Sequence, residues 1–362
     1  MKKLLLLTFS AFILNIAIAQ PKLKTRNIIL ITLDGFRWQE LFKGADSTLI
    51  NDKDYTTNFG RVSEQFWAET PQERRQKLMP FVWQTIARNG QLYGNRDLNN
   101  KVDMTNPHWV SYPGYSEILC GYVDTLIRGN KKRNNPNITL LEFLNNRHEF
   151  NGKIAVFGSW DVFPYIINQE RSKIPVNAGY AKVEGDHLST STKLLNTMQK
   201  QVPTVFGGAR LDVFTHYQAK EYLIKHHPRV LFIGYGEPDE WAHQGNYEYY
   251  LQSVNNIDQF ISDIWNYVQS NTFYKDKTTL IITTDHGRGE AQKGKWKSHG
   301  INIIGAGEVW LAVIGPDAKP LGEVKSEGQL YSTQIAQTIS KLLGINYMNT
   351  RSVGKAIDSV IE

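Results

Sequence analysis

Short, continuous apolar runs rich in β-branched residues recur along the chain, and each is bounded by glycine, proline or a polar residue. Runs of this length and bounding are typical of strands that are covered on both faces of a sheet. The sequence predicts five such strands, over residues 27–33, 153–158, 229–234, 278–284 and 309–314.

Segments with apolar residues at helical spacing separate these runs. They cover residues 79–88, 139–146, 191–201, 211–225, 247–268 and 332–343. The 247–268 segment has the strongest pattern, with one apolar stripe that indicates core packing. The alternation of strands and helices predicts an α/β fold, in which a doubly wound, mostly parallel sheet is flanked by helices on both faces.

Two segments fit this alternation poorly. Residues 42–77 and 160–208 are polar, aromatic and without a clear period, so we interpret them as small irregular insertions that cap the site. The remaining pattern predicts one large domain over residues 20–362, which is within the ordinary size range of a single core.

The first nineteen residues have the pattern of a secretory signal peptide. Lys2 and Lys3 precede an apolar run from Leu4 to Ile18, and Ala17-Ile18-Ala19 fits a small-x-small cleavage site. The run is shorter than the 18–20 or so residues that span a bilayer, and Asn15 interrupts it. We therefore expect a periplasmic or secreted protein with no membrane span after cleavage.

Composition and charge narrow the classes of function. Hydrophobic content of 41% and charged content of 21% are ordinary for a globular protein. Removal of Lys2 and Lys3 lowers the formal net charge from +6 to +4, and the charge is dispersed. This balance predicts no binding to a nucleic-acid duplex, and the pattern favours no particular oligomeric state.

Metal-binding side chains follow three of the predicted strands. Because the carboxyl ends of parallel strands meet at one edge of a sheet, side chains distant in sequence can converge there. His243 lies four residues after Asp239, and His299 lies thirteen residues after His286. The candidate ligands are Asp34, Asp239, His243, Asp285, His286 and His299.

The ligand types and their number predict the kind of metal centre. Mixed aspartate and histidine sets suit zinc or manganese, whereas an all-oxygen set suits calcium or magnesium. One catalytic zinc usually takes three protein ligands. The larger set therefore predicts two divalent ions. Two ions about 3.5–4 Å apart can stabilise both the attacking and the leaving oxygen of an in-line displacement.

A serine supplies a candidate nucleophile. Ser111 precedes a helix-like apolar turn from Tyr115 to Leu119, so it would lie at a helix N-terminus, where anions are favoured. A metal ion at its oxygen would activate it at neutral pH. Thr105 and Ser116 are competing hydroxyls, and His108 is a candidate for a contact just outside the site.

With these residues the chain resembles the alkaline phosphatase superfamily, closest to its type I phosphodiesterase/nucleotide pyrophosphatase branch. The resemblance extends from residue 27 to about residue 344. It rests on five motifs in order, namely Leu33-Asp34-Gly35, Ser111-Tyr112-Pro113, Pro238-Asp239 with His243, Thr284-Asp285-His286-Gly287 and Ser298-His299-Gly300.

The resemblance implies a role for each residue. It places Asp34, Ser111, Asp285 and His286 around one metal, and Asp239, His243 and His299 around the other. It also implies an asparagine that contacts a phosphoryl oxygen. Asn130 is the best match, with Asn134 as the alternative.

Three departures bear on the substrate. The phosphodiesterase branch usually has threonine where Ser111 stands, and the short spacing from His286 to His299 is more like that of the phosphomutase relatives. A sulfatase signature would have arginine at the position of Tyr115.

The expected activity is two-metal-dependent hydrolysis of small-molecule phosphate esters, as a phosphodiesterase or phosphatase, through Ser111 and a phosphoserine intermediate. The expected metal is zinc, with manganese as the alternative, and Lys295 or Lys297 is a further candidate contact for the phosphoryl group. The alternatives are a phosphomonoesterase, a sulfatase-type hydrolase, a phosphomutase, or a catalytically inactive metal- or phosphate-binding protein.

Overall fold

The computed structural model describes residues 23–290 and 292–361, so the predicted signal peptide lies outside the described residues. Eleven strands are present in these ranges. They are β1 (Asn27–Leu33), β2 (Gln91–Tyr93), β3 (Asn100–Asp103), β4 (Ile154–Gly158), β5 (Val176–Ala178), β6 (Val230–Tyr235), β7 (Thr278–Thr283), β8 (Glu308–Val309), β9 (Leu311–Ile314), β10 (Gly322–Glu323) and β11 (Gly328–Tyr331).

Helices occupy much of the chain between these strands. The α-helices are α1 (Trp38–Lys43), α2 (Ser47–Ile50), α3 (Phe59–Phe66), α4 (Pro71–Leu78), α5 (Ala87–Asn89), α6 (Ser111–Cys120), α7 (Leu140–Asn145), α8 (Phe163–Ile166), α9 (Gln169–Ser172), α10 (Thr190–Gln201), α11 (Asp212–His226), α12 (Glu237–His243), α13 (Tyr247–Ser270), α14 (Gln334–Leu342) and α15 (Asp358–Ile361). A π-helical turn (Val82–Ile86) runs into α5, and 3-10 helices cover Arg96–Leu98 and Gln292–Lys297.

The main sheet has eight strands in the order β10-β2-β9-β7-β1-β6-β4-β5. Strands β7, β1, β6, β4 and β5 are parallel, while β9 runs antiparallel to both β7 and β2. A smaller sheet has the order β11-β3-β8. The predicted doubly wound, mostly parallel α/β fold is therefore confirmed.

Strand β1 shows why the apolar runs are continuous. Alternate residues point to opposite faces of a strand. Ile29 and Ile31 belong to one buried core, whereas Ile28 and Leu30 belong to the other. Helix α13 covers the first core with its predicted stripe, which is fully buried from Leu251 to Val268. Helices α6 and α14 pack in the second core.

The two predicted insertions are more regular than expected. Residues 42–77 contain α2, α3 and α4, and residues 160–208 contain α8, α9, β5 and α10. The prediction of irregular backbone there is wrong. Helix α4 has the sequence PQERRQKL and buries only Leu78, so it lacks the apolar stripe by which a helix is predicted from sequence. A capping box at Thr70 marks its N-terminus.

In the described ranges, no helix combines the length and apolar character needed to cross a membrane.

Candidate active site

The three central strands of the sheet place most of the predicted ligands at one edge. Asp34 directly follows β1, and Asp285 and His286 lie two and three residues beyond the end of its neighbour β7. On the other side of β1, strand β6 leads into α12, which contains Asp239 and His243. Asp34, Asp239 and His243 line a cavity of about 200 Å³. Its lining residues are Asp34, Ser111, Asn130, Trp160, Ala209, Gly236, Asp239, Glu240, His243 and His299.

Asp34, Asp285 and His286 form a first group of possible metal ligands, and all three are buried. The Nε2 atom of His286 lies 3.4 Å from Asp34 Oδ1 and 3.7 Å from Asp285 Oδ2. The other carboxylate oxygens accept hydrogen bonds, from the Tyr115 hydroxyl at 2.9 Å and from the Gly35 N–H at 3.1 Å.

Two oxygens of this group have no hydrogen-bond partner. They are Asp34 Oδ1 and Asp285 Oδ2, both fully buried, and no described residue donates to either. Buried polar atoms are normally paired, because an unpaired one costs about 1–3 kcal/mol. Oxygens left open beside an imidazole nitrogen are the donors that a divalent cation needs.

Asp239, His243 and His299 form a second group, nearer the surface. His243 Nε2 lies 3.1 Å from Asp239 Oδ2 and 3.0 Å from His299 Nε2. Asp239 and His243 meet because they are four residues apart on α12. The donor atoms in each group lie within 4.8 Å of one another. The two groups divide the ligands as the resemblance implies, and the ligand assignment itself stays a prediction.

Backbone carbonyls orient two of the imidazoles. His286 Nδ1 donates to the Gly287 carbonyl at 2.8 Å, and His299 Nδ1 donates to the Trp109 carbonyl at 3.0 Å. These bonds place the proton on Nδ1 and leave Nε2 with a lone pair that faces the cavity. Trp109 has a left-handed backbone with φ of 48°, and such strain in a non-glycine residue is often found at functional sites.

Burial keeps the same imidazoles neutral. It lowers the pKa of His286 to about 4, with the nearby cation of Arg288 adding to the effect. Burial and the adjacent His286 together lower the pKa of His299 to about 2. Both rings are thus neutral at pH 7, which is the form that binds a metal.

The pKa values of the three carboxyl groups are shifted in different directions. Burial, followed by repulsion from Asp239, raises the pKa of Asp34 well above its ordinary value, and the pKa of Asp285 is raised for similar reasons. Burial alone would raise the pKa of Asp239 too, but Arg288 and His299 hold it well below its ordinary value. In a buried site the carboxylates repel one another, and a bound cation would relieve this repulsion.

Ser111 is the first residue of α6 and is buried. Its Oγ lies 3.3 Å from His286 Nε2, beside the first group. Of the competing hydroxyls, Ser116 points into the core, where its Oγ lies 3.8 Å from the Cys120 sulfur, and Thr105 does not line the cavity. The geometry therefore favours Ser111.

Asn130 lines the cavity next to Ser111. Its Oδ1 accepts a hydrogen bond from the Tyr112 N–H at 3.0 Å, so its amide nitrogen remains free to donate. Asn134 instead donates to Glu170 at 2.8 Å and lies outside the cavity. Lys295 and Lys297 do not line the cavity, and the Lys297 ammonium lies 5.6 Å from the centre of the Tyr55 ring.

Sequence reasoning missed four residues of the site. Arg288 is buried and contacts Asp239, and Tyr115 donates to Asp34. Trp160 and Glu240 line the cavity. The one signal for Arg288 in the sequence was its position directly after the Asp285-His286-Gly287 motif, which places it near the candidate ligands.

Comparison with known proteins agrees with this geometry. A family model described as "Metalloenzyme superfamily" matches residues 213–347, which include Asp239, His243, Asp285, His286 and His299. No curated protein matches the sequence.

Among solved structures, the wild-type alkaline phosphatase PafA is similar at a TM-score of 0.60 and 11% identity, covering 95% of this chain and 100% of that chain. The chain has the alkaline phosphatase superfamily fold. A putative sulfatase from Bacteroides thetaiotaomicron is similar at a TM-score of 0.58 and 12% identity, covering 93% of this chain and 74% of that chain. The lipoteichoic acid synthase LtaP from Listeria monocytogenes is similar at 0.53 and 12%, covering 93% and 76%.

The fold that the resemblance implies is thereby confirmed. At these identities the structural likeness shows the fold alone. The family model, described as a metalloenzyme superfamily, matches the part of the chain that contains five of the six candidate ligands in the two groups.

Proposed function

We propose that the protein hydrolyses phosphodiesters, with two divalent metal ions and with Ser111 as the nucleophile. The observation that carries the proposal is the convergence of two ligand groups, each within 4.8 Å, on a cavity that Ser111 also lines. Zinc is the metal we propose, because each group combines carboxylate and imidazole donors.

The residues fit two such ions, since unpaired buried oxygens and neutral imidazole nitrogens face the same space. Asp34, Asp285 and His286 would hold one ion together with Ser111 Oγ, and Asp239, His243 and His299 would hold the other. When bound, the ions supply positive charge that lowers the pKa of the serine hydroxyl and stabilises a leaving oxygen.

The chain's own residues account for the remaining steps. Ser111 Oγ releases its proton to solvent and forms a bond to phosphorus while the bond from phosphorus to one alcohol oxygen breaks, and the departing oxygen takes up a proton from solvent to leave as the alcohol. The Asn130 amide is placed to donate to a phosphoryl oxygen. Water then attacks phosphorus from the vacated side, which releases the serine and the second product. Two in-line displacements give net retention of configuration at phosphorus.

The charge of the cavity favours a diester over a monoester. No lysine or arginine is among its lining residues within 23–290 and 292–361, whereas Trp160 and Glu240 are. Burial, together with the nearby Asp239 and Asp34, raises the pKa of Glu240 to about 7. A dianionic monoester would add charge to this setting, while a diester carries one charge and an additional alcohol group.

Two features disfavour a sulfatase. Tyr115 stands where a sulfatase signature has arginine, and its hydroxyl donates to Asp34. The second group also contains two histidines, a set that suits zinc better than calcium. We also propose a periplasmic or secreted location, which rests on the pattern of residues 1–19.

The test is hydrolysis of three chromogenic substrates with one leaving group, namely bis(p-nitrophenyl) phosphate, p-nitrophenyl phosphate and p-nitrophenyl sulfate. Each is assayed with the chelated protein and again after addition of zinc or manganese. We expect zinc-dependent release of nitrophenol that is fastest from the diester.

Each other outcome supports a different alternative. Faster hydrolysis of the monoester would make the protein a phosphomonoesterase, and preference for the sulfate ester would make it a sulfatase. A folded, metal-loaded chain that hydrolyses none of the three would support the non-catalytic alternative.

A further inference from the structure

A groove of about 570 Å³ lies beside the catalytic cavity. The two spaces share a wall, because Asn130 lines the cavity while its chain neighbours Gly129 and Lys131 line the groove. In the same way Ser111 lines the cavity and the next residue, Tyr112, lines the groove. The hydrogen bond from the Tyr112 N–H to Asn130 Oδ1 joins the two parts of this wall.

Three cationic side chains line the groove, and they are exposed. They are Arg128, Lys131 and Arg133, and no carboxylate of the described residues forms an ion pair with any of them. The neighbouring Lys132 differs, because its ammonium is paired with Asp161 at 2.6 Å. Unpaired positive charge around a concave surface attracts an anionic group.

The rest of the groove is largely apolar. Leu126, Ile127 and Pro136 line it, and the Leu126 side chain is 73% exposed. An apolar concave surface with a few charged groups at its edge is the usual form of a small-molecule site.

We propose that this groove binds one alcohol portion of the phosphodiester substrate, and that this portion carries an apolar body and its own anionic group. The proposal rests on the proposed function. The substrate class is then an organic phosphodiester with a second anionic group. Lys131 and Arg133 would pair with that second group when the scissile phosphate is beside Ser111.

The experiment compares two diesters that share a p-nitrophenol leaving group. One is phenyl p-nitrophenyl phosphate, and the other has a carboxylate on the phenyl ring. The double variant Lys131→Gln/Arg133→Gln is compared with the control Lys319→Gln/Lys325→Gln, which removes two surface lysines elsewhere. We expect the wild type to favour the carboxylated diester in kcat/KM by about fivefold, the effect of one or two exposed ion pairs.

The groove variant should lose this preference, while the control should keep it. Equal preference in the groove variant and the wild type would overturn the proposal, as would an equal loss on both substrates. Failure of the proposed function looks different, since neither diester would then be hydrolysed by the wild type.

A second feature, independent of the groove, is the buried guanidinium of Arg288. Its Nη1 contacts Asp239 Oδ1, and its Nη2 lies 3.4 Å from His243 Nδ1. On the other side, Nε donates to the Trp296 carbonyl at 2.7 Å and Nη2 donates to the Lys297 carbonyl.

These contacts link the parts of the second ligand group. Asp239 and His243 lie on α12, whereas His299 lies two residues beyond Lys297 on a separate loop. None of the three lies on a strand, so the sheet does not fix their spacing. The planar guanidinium, which donates in fixed directions, contacts both elements at once.

We infer that Arg288 is a positioning residue for the second metal, which holds α12 and the His299 loop at the spacing that one ion requires. The inference rests on the proposed two-metal function.

The test measures bound metal, without reference to activity. Arg288→Met removes the guanidinium and keeps much of the side-chain volume. Arg210→Met is the matched control, because Arg210 is also fully buried but bonds to Asn177, Thr215 and Gln218 instead. Zinc per chain is measured by elemental analysis after dialysis, and zinc affinity by competition with a chromophoric chelator.

We expect two zinc ions in the wild type and in Arg210→Met, and about one in Arg288→Met, with affinity for the second ion lowered at least tenfold. Arg288→Lys, which keeps the charge and loses the fork, should recover only part of this affinity. Two ions bound with wild-type affinity in Arg288→Met would refute the positioning role of Arg288. If Arg288→Met does not fold, wild-type zinc affinity in Arg288→Lys would refute it instead. One ion in the wild type would refute the two-metal assignment itself.

Discussion

Removal of the Tyr115 hydroxyl would test whether its hydrogen bond to Asp34 supports zinc binding at the first ligand group. Tyr115 is fully buried, and its hydroxyl donates to Asp34 Oδ2 at 2.9 Å. Its ring packs against Phe163, with ring centres 4.9 Å apart. Replacement by phenylalanine removes one oxygen and keeps this packing, so the change isolates the hydrogen bond.

The magnitude follows from the burial of both partners. A hydrogen bond to a charged group contributes about 1.5–3 kcal/mol, and Asp34 is buried. Burial already raises the pKa of Asp34, and the Tyr115 bond opposes that rise. Tyr115→Phe should therefore favour the protonated form of the Asp34 carboxyl, and a metal ion must displace that proton in order to bind.

We expect Tyr115→Phe to weaken zinc binding at the first group by about 30-fold, which corresponds to about 2 kcal/mol. Competition titration with a chromophoric chelator at pH 7 measures the affinity, and urea unfolding of the chelated chain measures the stability. The difference should grow as the pH is lowered, because the variant's carboxyl takes up a proton first.

Tyr274→Phe is the matched control. Its hydroxyl is also buried and donates to the Pro228 carbonyl at 2.9 Å, far from the site in the fold. It should lose about 1 kcal/mol of stability and bind zinc normally. Zinc affinity in a folded Tyr115→Phe variant within twofold of the wild type would show that the bond does not support Asp34.

Three further predictions concern single residues. Ser111→Ala should keep metal content and stability and lower turnover of a chromogenic diester at least about 10³-fold, because it removes the nucleophile; full activity would exclude Ser111 from the mechanism. Asp239→Asn should reduce bound metal from two ions to about one per chain in elemental analysis, and an unchanged content would remove this ligand. Hydrogen bonds from His216, then Lys220, lower the pKa of Asp263 to about 2 from 3.8, so its stabilisation is present above pH 3.8 and lost as the pH falls toward 2. In urea unfolding from pH 5 to 2, Asp263→Asn should flatten this loss by about 1 kcal/mol, a value reduced from the full shift because the side chain is 37% exposed.

The fold was predictable where one physical signal dominated. Strands β1, β6 and β7 are buried on both faces, so their sequences are continuous apolar runs that end where the ligands begin. The stripe of α13 was equally clear. Strands β2, β5 and β10 have two or three residues each, too few to show a period.

The convergence of the proposed metal ligands was predictable, and the side chains that contact them were not. Asp34 and His286 are recognisable because their chemistry and their place at a strand end agree. Arg288 and Tyr115 act through contacts between distant segments, with Asp239 and Asp34 respectively. Such contacts depend on how helices and loops pack over the sheet edge, which no local pattern in the sequence specifies.

The two ligand groups differ in their access to solvent. Asp285 and His286 are fully buried and follow a central strand, whereas the His243 side chain is 45% exposed on a short helix. If the two proposed ions occupy these groups, the outer one would exchange with solvent more readily than the inner one. In metal-poor surroundings such a protein would lose the outer ion first, and a rise in free metal would refill that group without any refolding.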